Sequence, residues 1–266
     1  GGAIALADGD RLVGVCAQER VTRARAGEGD AGEPTAALDL LLARTGRAKG
    51  EIARTIVAPV DPASGDAGGE RIDHHRAHAC TAFLTSPFND AAILICDRES
   101  PKISVWTGSG TSVTSVAWAW TGEGFSDVFT RLAAVFGFVS AAADQRLEAL
   151  ARLVPGTTDL SLESLLSLED DRLFVSPSLE TVIAGRLKDA RDDLMHRARI
   201  ASALQSRLGD LLLELLVRIQ KQLGDERLCL GGSFFYHSSM NTRVKTAGLF
   251  NAVFVPIDPG NSGIAV

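Results

Sequence analysis

Asp73-His74-His75-Arg76-Ala77-His78-Ala79 and, shortly after it, Ala91-Ala92-Ile93-Leu94-Ile95-Cys96-Asp97 form the stretch that decides the fold. The first part places three of the five histidines within five positions. Residues 73–85 are helical in character, and on a helix His74 and His78 stand one turn apart on the same face while His75 points elsewhere. That spacing lets two imidazoles reach one metal ion. It equally suits a pair that lines or caps a helix, and two ligands alone do not close a site. The second part is a continuous apolar run with the length and β-branching of a buried strand. Asp97 follows it directly, so its carboxylate emerges at the strand's end, where it can hold a metal, position a phosphate or simply form a turn.

Upstream, residues 3–6 and 11–16 are short apolar runs parted by Ala7-Asp8-Gly9-Asp10, which predicts a β-hairpin. After polar residues 27–33, residues 34–43 have helical composition with Pro34 in the first turn, and a strand is expected at 55–60. Downstream, residues 103–107 and 112–120 alternate apolar with polar and are expected as antiparallel partners of the buried strand. Helices are expected at 126–136 and 143–153, then a less regular polar segment including 160–171. Between about 189 and 223, Ile200, Leu204, Leu208, Leu211, Leu212 and Leu215 recur at helical spacing, as one long helix or a packed pair. The charged face Arg207, Asp210, Glu214 and Arg218 reads as solvated surface.

A strand at 227–230 runs into Gly231-Gly232-Ser233, where absent Cβ atoms would let a nucleotide approach the backbone; a turn or packing contact explains the pair as well. A strand at 252–256 leads into Pro256-Ile257-Asp258-Pro259-Gly260-Asn261-Ser262-Gly263. This has the composition of an ordinary loop, yet presents Asp258 and Asn261 as oxygen ligands and Ser262 as a donor.

A chain of 266 residues with 45% apolar content can fill one large domain or two packed lobes. Its formal charge of -6 argues against a nucleic-acid reader. Cys16, Cys80, Cys96 and Cys229 have no paired spacing and read as reduced thiols of a cytoplasmic protein. No run of apolar residues is long enough to span a membrane, and nothing resembles a signal peptide. Residue 1 falls inside an expected strand without an initiator Met and the chain stops in mid-pattern at Val266, so further sequence is expected at both ends.

In their order along the chain, these features resemble the carbamoyltransferases of nodulation-factor and antibiotic biosynthesis, which share a core with the threonylcarbamoyl-transfer enzymes. Gln18-Glu19-Arg20-Val21-Thr22-Arg23 is similar to that family's E-E-R-x-x-R, and residues 73–83 to its D-H-H-x-A-H-A-x-x-A-F, continued by Ser86-Pro87-Phe88. Ile200-Ala201-Ser202-Ala203-Leu204-Gln205, followed by residues 228–232, is similar to an A-x-x-L-Q helix leading to L-x-x-G-G. Residues 254–263 are similar to its F-V-P-x-x-x-x-D-x-G loop; residues 98–190 match only loosely.

The resemblance implies an α/β fold of two ribonuclease H-like lobes, the actin-like ATPase type. The first lobe would be residues 1–97, lacking its N-terminal strand, and the second 98–266, lacking its C-terminal end. It implies an O-carbamoyltransferase that passes a carbamoyl group, from carbamoyl phosphate by way of ATP and carbamoyl adenylate, to a hydroxyl of a small natural product or sugar. His74, His78 and Asn261 would hold Fe(II) or another divalent metal; Asp97, Gly231, Gly232, Ser233 and Gly263 would contact nucleotide. No catalytic base is identifiable.

Departures are Asn261 where the family has Asp, Arg98 where it has Gly, Asn241 out of register, and no YrdC-like domain in this chain, so that domain is expected elsewhere in the full-length protein. They also leave open a non-catalytic nucleotide-binding or assembly homologue. A sugar or acetate kinase is the third reading. Oligomeric state is open, a homodimer included.

Overall fold

The computed structural model describes residues 2–22, 35–60, 69–139, 142–154, 156 and 161–265. Strands β1 (Ala3–Asp8) and β2 (Arg11–Ala17) form the expected hairpin, followed by helices α1 (Gln18–Thr22) and α2 (Thr35–Thr45). Pro34 and Arg23 lie outside the described residues. The strand expected at 55–60 shrinks to β3 (Ile56–Val57), paired in parallel with β4 (Glu70–Arg71).

Helix α3 (His74–Leu84) begins where the Asp73 carboxylate accepts the Arg76 N–H at 2.8 Å, satisfying one of the first-turn donors. Then come β5 (Asp90–Cys96), β6 (Ile103–Ser109), β7 (Ser112–Ser115), α4 (Phe125–Val135), α5 (Ala143–Ala151), β8 (Leu166–Leu168) and β9 (Leu173–Val175). Helices α6 (Leu179–Ala190) and α7 (Leu194–Leu223), strand β10 (Arg227–Gly231), helix α8 (Ser238–Thr246) and strand β11 (Ala252–Phe254) complete the order.

One five-stranded sheet, in the order β11-β10-β5-β6-β7, organises the molecule. β5 is parallel to β10 and antiparallel to β6, so the sheet is mixed. Strand residues point alternately to the two faces. Ala91, Ile93 and Ile95 therefore pack under α3 with Ala79, Ala82, Phe83, Trp106 and Cys229. Ala92, Leu94 and Cys96 join the larger core beneath α4, α5 and α7. Burial on both faces is why β5 reads as an unbroken apolar run. The expected division between residues 97 and 98 falls within this sheet, because β5 joins β6, β7, β10 and β11.

The 189–223 periodicity belongs to one long helix, α7, and only Asp189 and Ala190 fall on the end of α6. Arg191 takes a positive φ of 47°, and Asp193 caps α7 by accepting the N–H groups of Met195 and His196. The charged face of α7 is not simply solvated, which corrects the sequence reading. Arg207 donates to the Leu166 carbonyl at 2.7 Å and Arg218 to the Glu169 carbonyl at 2.6 Å. Both tie the β8–β9 hairpin to α7, because a two-stranded hairpin leaves edge carbonyls that need donors.

The first turn of α8 is capped from another element. His237 provides no side-chain cap, and the buried Glu148 of α5 accepts the Ser239 N–H at 2.8 Å and the Ser238 hydroxyl at 3.2 Å. Burial pushes its pKa up, but the His237 imidazole 3.5 Å away and the bond from Ser239 outweigh it and bring the group from 4.5 to about 2. A folded pKa below the unfolded one means a contribution that is complete above pH 4.5 and lost as pH falls towards 2; its size is on the order of 3 kcal/mol. Thermal unfolding of Glu148→Gln should show a lower Tm than wild type at pH 7, with the gap closing towards pH 2. A gap independent of pH would contradict this.

Candidate metal centre

Three elements deliver the site. The Asp73 cap fixes the start of α3, which aims His74 and His78 down onto the sheet. Strand alternation puts Asp97 on the same face as Ile93 and Ile95, the α3 face. The loop after β11 brings in Asn261. His74 Nε2 lies 3.1 Å from Asp97 Oδ2, and His78 Nε2 lies 3.2 Å from His74 Nε2. His78 Nε2 is also 3.2 Å from Asn261 Oδ1 and 3.6 Å from Asp97 Oδ2. Asp97 Oδ1 in turn accepts the Ser233 N–H at 2.9 Å. His74, His78 and Asp97 are 6%, 1% and 1% exposed, so water has little access.

The donor set suits a divalent cation. Ligands about 2.1 Å from an ion and at roughly 90–110° to one another lie about 3.0–3.4 Å apart, and most of these separations fall in or beside that range. Two imidazoles, one carboxylate and one amide oxygen form a mixed nitrogen–oxygen set accepted by several transition metals. Burial alone would neutralise Asp97, but hydrogen bonds from His74, His78 and Ser233 hold its carboxyl far below the ordinary carboxylate range. It is an anion at any working pH.

His75 faces away from this set, as its helix position predicts. Its Nδ1 lies 2.6 Å from Ser104 Oγ, which also accepts from Trp106 Nε1 at 2.8 Å. Desolvation pulls its pKa from 6.5 to about 4, against the opposing pull of Asp97, so the ring is neutral.

The structure brings His74, His78 and Asn261 together as expected. Asp97, expected to face a nucleotide, stands among them, and the signal available for it was strand parity: it continues the series 91, 93, 95. Gly231 and Gly232 border the cluster, but their missing side chains make room for protein. A Cβ on Gly231 would meet Ile95 Cδ1 at 2.8 Å, and one on Gly232 would overlap the Cys96 backbone. Gly263 packs on the Asp258 backbone, and its carbonyl faces Thr81 Oγ1. Ser233 Oγ is buried without a hydrogen-bond partner among the described residues. Arg98, which stands where the family has Gly, points to the opposite face of the sheet and pairs with Asp144. Asn241 donates to the Phe235 carbonyl, outside the cluster.

Solved structures share this architecture across almost the whole chain. One is the activator of 2-hydroxyisocaproyl-CoA dehydratase from Clostridium difficile, with ADPNP bound: TM-score 0.58 and 16% identity, covering 99% of this chain and 88% of that one. Another is component A of (R)-2-hydroxyglutaryl-CoA dehydratase from Acidaminococcus fermentans: TM-score 0.59 and 13% identity, covering 99% and 94%. The fold is that of the actin-like ATPases, a mixed sheet flanked by helices.

Within that class, residues 70–266 match the carbamoyltransferase N-terminus family, and the chain belongs to it. An uncharacterized protein of Synechocystis is 25% identical in an alignment of 213 positions that covers 73% of this chain; the chain spans 35% of that relative's length. No helix among the described residues is long and apolar enough to cross a membrane.

Proposed function

We propose that this chain is the metal- and nucleotide-binding part of an O-carbamoyltransferase. The carbamoyl group would come from carbamoyl phosphate, through ATP and carbamoyl adenylate made by a YrdC-like domain of the full-length protein. It would pass to a hydroxyl of a small natural product or sugar. The observation that carries this reading is the convergence of His74, His78, Asp97 and Asn261 in a chain of the carbamoyltransferase N-terminus family.

His74, His78, Asp97 and Asn261 hold a divalent cation, Fe(II) among the candidates. Such an ion would polarise the carbamoyl carbonyl and offset charge that develops on its oxygen. Asp97 supplies the fixed negative charge, and the Ser233 N–H orients it. The buried Ser233 hydroxyl, which has no hydrogen-bond partner among the described residues, is assigned to the nucleotide, with the backbone at Gly231, Gly232 and Gly263 shaping that side of the site. Burial of the two imidazoles keeps competing water away from the reacting group.

The test uses the full-length protein with carbon-13 carbamoyl phosphate, ATP and a panel of sugar and natural-product hydroxyl acceptors. Mass spectrometry should detect a labelled carbamate ester. No carbamate on any acceptor, together with no nucleotide binding by calorimetry, would reject the reading in favour of a non-catalytic homologue. A phosphorylated acceptor would point to a kinase.

A further inference from the structure

Three of the four candidate ligands stand on or directly at the end of regular elements, but Asn261 sits on a loop that has neither helix nor strand from Val255 to Ser262. Something must fix it, since a ligand displaced by an ångström no longer binds. The loop's outer edge faces solvent, with Ile257 fully exposed. Much of its inner edge is held by one neighbouring segment, the 3₁₀ turn Ser233–Tyr236 and the glycine before it, while Thr81 of α3 holds Gly263 just beyond it. Gly232 N–H donates to the Pro259 carbonyl at 2.8 Å. The Tyr236 hydroxyl donates to Asp258 Oδ1, which also accepts the Gly260 N–H at 3.2 Å. The Tyr236 ring lies against Gly260 so closely that an added Cβ would meet its atoms at 2.5 Å.

The other end of the same turn holds Asp97 through the Ser233 N–H, while buried Phe234 and Phe235 anchor its middle. Four residues thus grip the carboxylate ligand at one end and the amide ligand's loop at the other.

We propose that Tyr236 is a positioning residue: its hydroxyl, bonded to Asp258, latches the closing loop so that Asn261 Oδ1 stays within reach of the ion held by His74, His78 and Asp97. The latch rests on the metal reading of the site. It lies at the surface, 43% exposed at Tyr236, where it adds a side-chain bond to the Gly232–Pro259 backbone bond that also holds the loop.

Titration of the purified chain with Co(II), followed by its visible absorption, tests both. Wild type should bind about one equivalent; failure to bind would overturn the metal reading and the latch with it. Given wild-type binding, Tyr236→Phe keeps the ring on Gly260 and removes only the hydroxyl, and should bind Co(II) about 5- to 10-fold more weakly. Its Tm should stay within about 3 °C of wild type. Asp258→Asn, which retains an oxygen acceptor, should stay within about 2-fold of wild type. In an Asn261→Ala background Tyr236→Phe should have no further effect beyond about 2-fold. Unchanged Co(II) affinity in Tyr236→Phe, or an equal loss with and without Asn261, would overturn the latch while leaving the metal site standing.

Discussion

His78→Ala is expected to lower Co(II) affinity by about 100-fold or more, the largest loss of any single side chain in the site. His78 is the hub: its Nε2 is near His74, Asn261 and Asp97 at once. Truncation removes one donor and also the group against which Asn261 is set. It strips Asp97, a buried anion, of one of its two imidazole partners, which costs further stability. The control is His75→Ala, one residue from His74 but turned towards Ser104, which should change affinity by no more than about 3-fold. Near-UV circular dichroism would establish that each variant is folded before titration. Equal losses in the two variants would mean that helix integrity, and not ligation, was being measured.

Gly232→Ala should destabilise the fold by on the order of 3–5 kcal/mol, or about 8–15 °C in Tm for a chain of this size. Two independent penalties combine. The residue has φ of +96°, a conformation that side chains resist, and an added Cβ would lie 2.6 Å from the Cys96 carbonyl carbon and overlap its oxygen. The backbone cannot retreat, because β10 is paired on both sides and Gly232 N–H is committed to Pro259. Gly231→Ala should be milder, since its nearest obstacle is the far end of the Ile95 side chain. Thermal unfolding of the two variants measures the order, and a Gly232→Ala protein as stable as Gly231→Ala would refute it.

The elements that organise the sheet were legible because their signals are local. An unbroken apolar run, a hairpin turn and a 3.6-residue period each predict one element without knowledge of its neighbours. The helical spacing of His74 and His78 was legible for the same reason. What was not legible depends on partners distant in sequence. The place of Asp97 beside His74 and His78 follows from which face of β5 lies under α3. Arg207 and Arg218 look solvated until the β8 carbonyls arrive. Gly231 and Gly232 read as room for a ligand because a sequence does not show that the Cys96 backbone already fills that room. The short β3 reflects a two-stranded parallel pairing too small to extend further.

The interval of 183 residues between His78 and Asn261 bears on when the centre can form. His74, His78 and Asp97 leave the ribosome together, yet β5 then lacks β10 beside it, and the Asp97 carboxylate lacks its Ser233 donor. Only after the β11 loop has been synthesised and folded back does the fourth side chain, Asn261, arrive. The complete set of four side chains can therefore assemble only after residue 261 has been made, and nascent chains that end before the β11 loop hold at most three of them together.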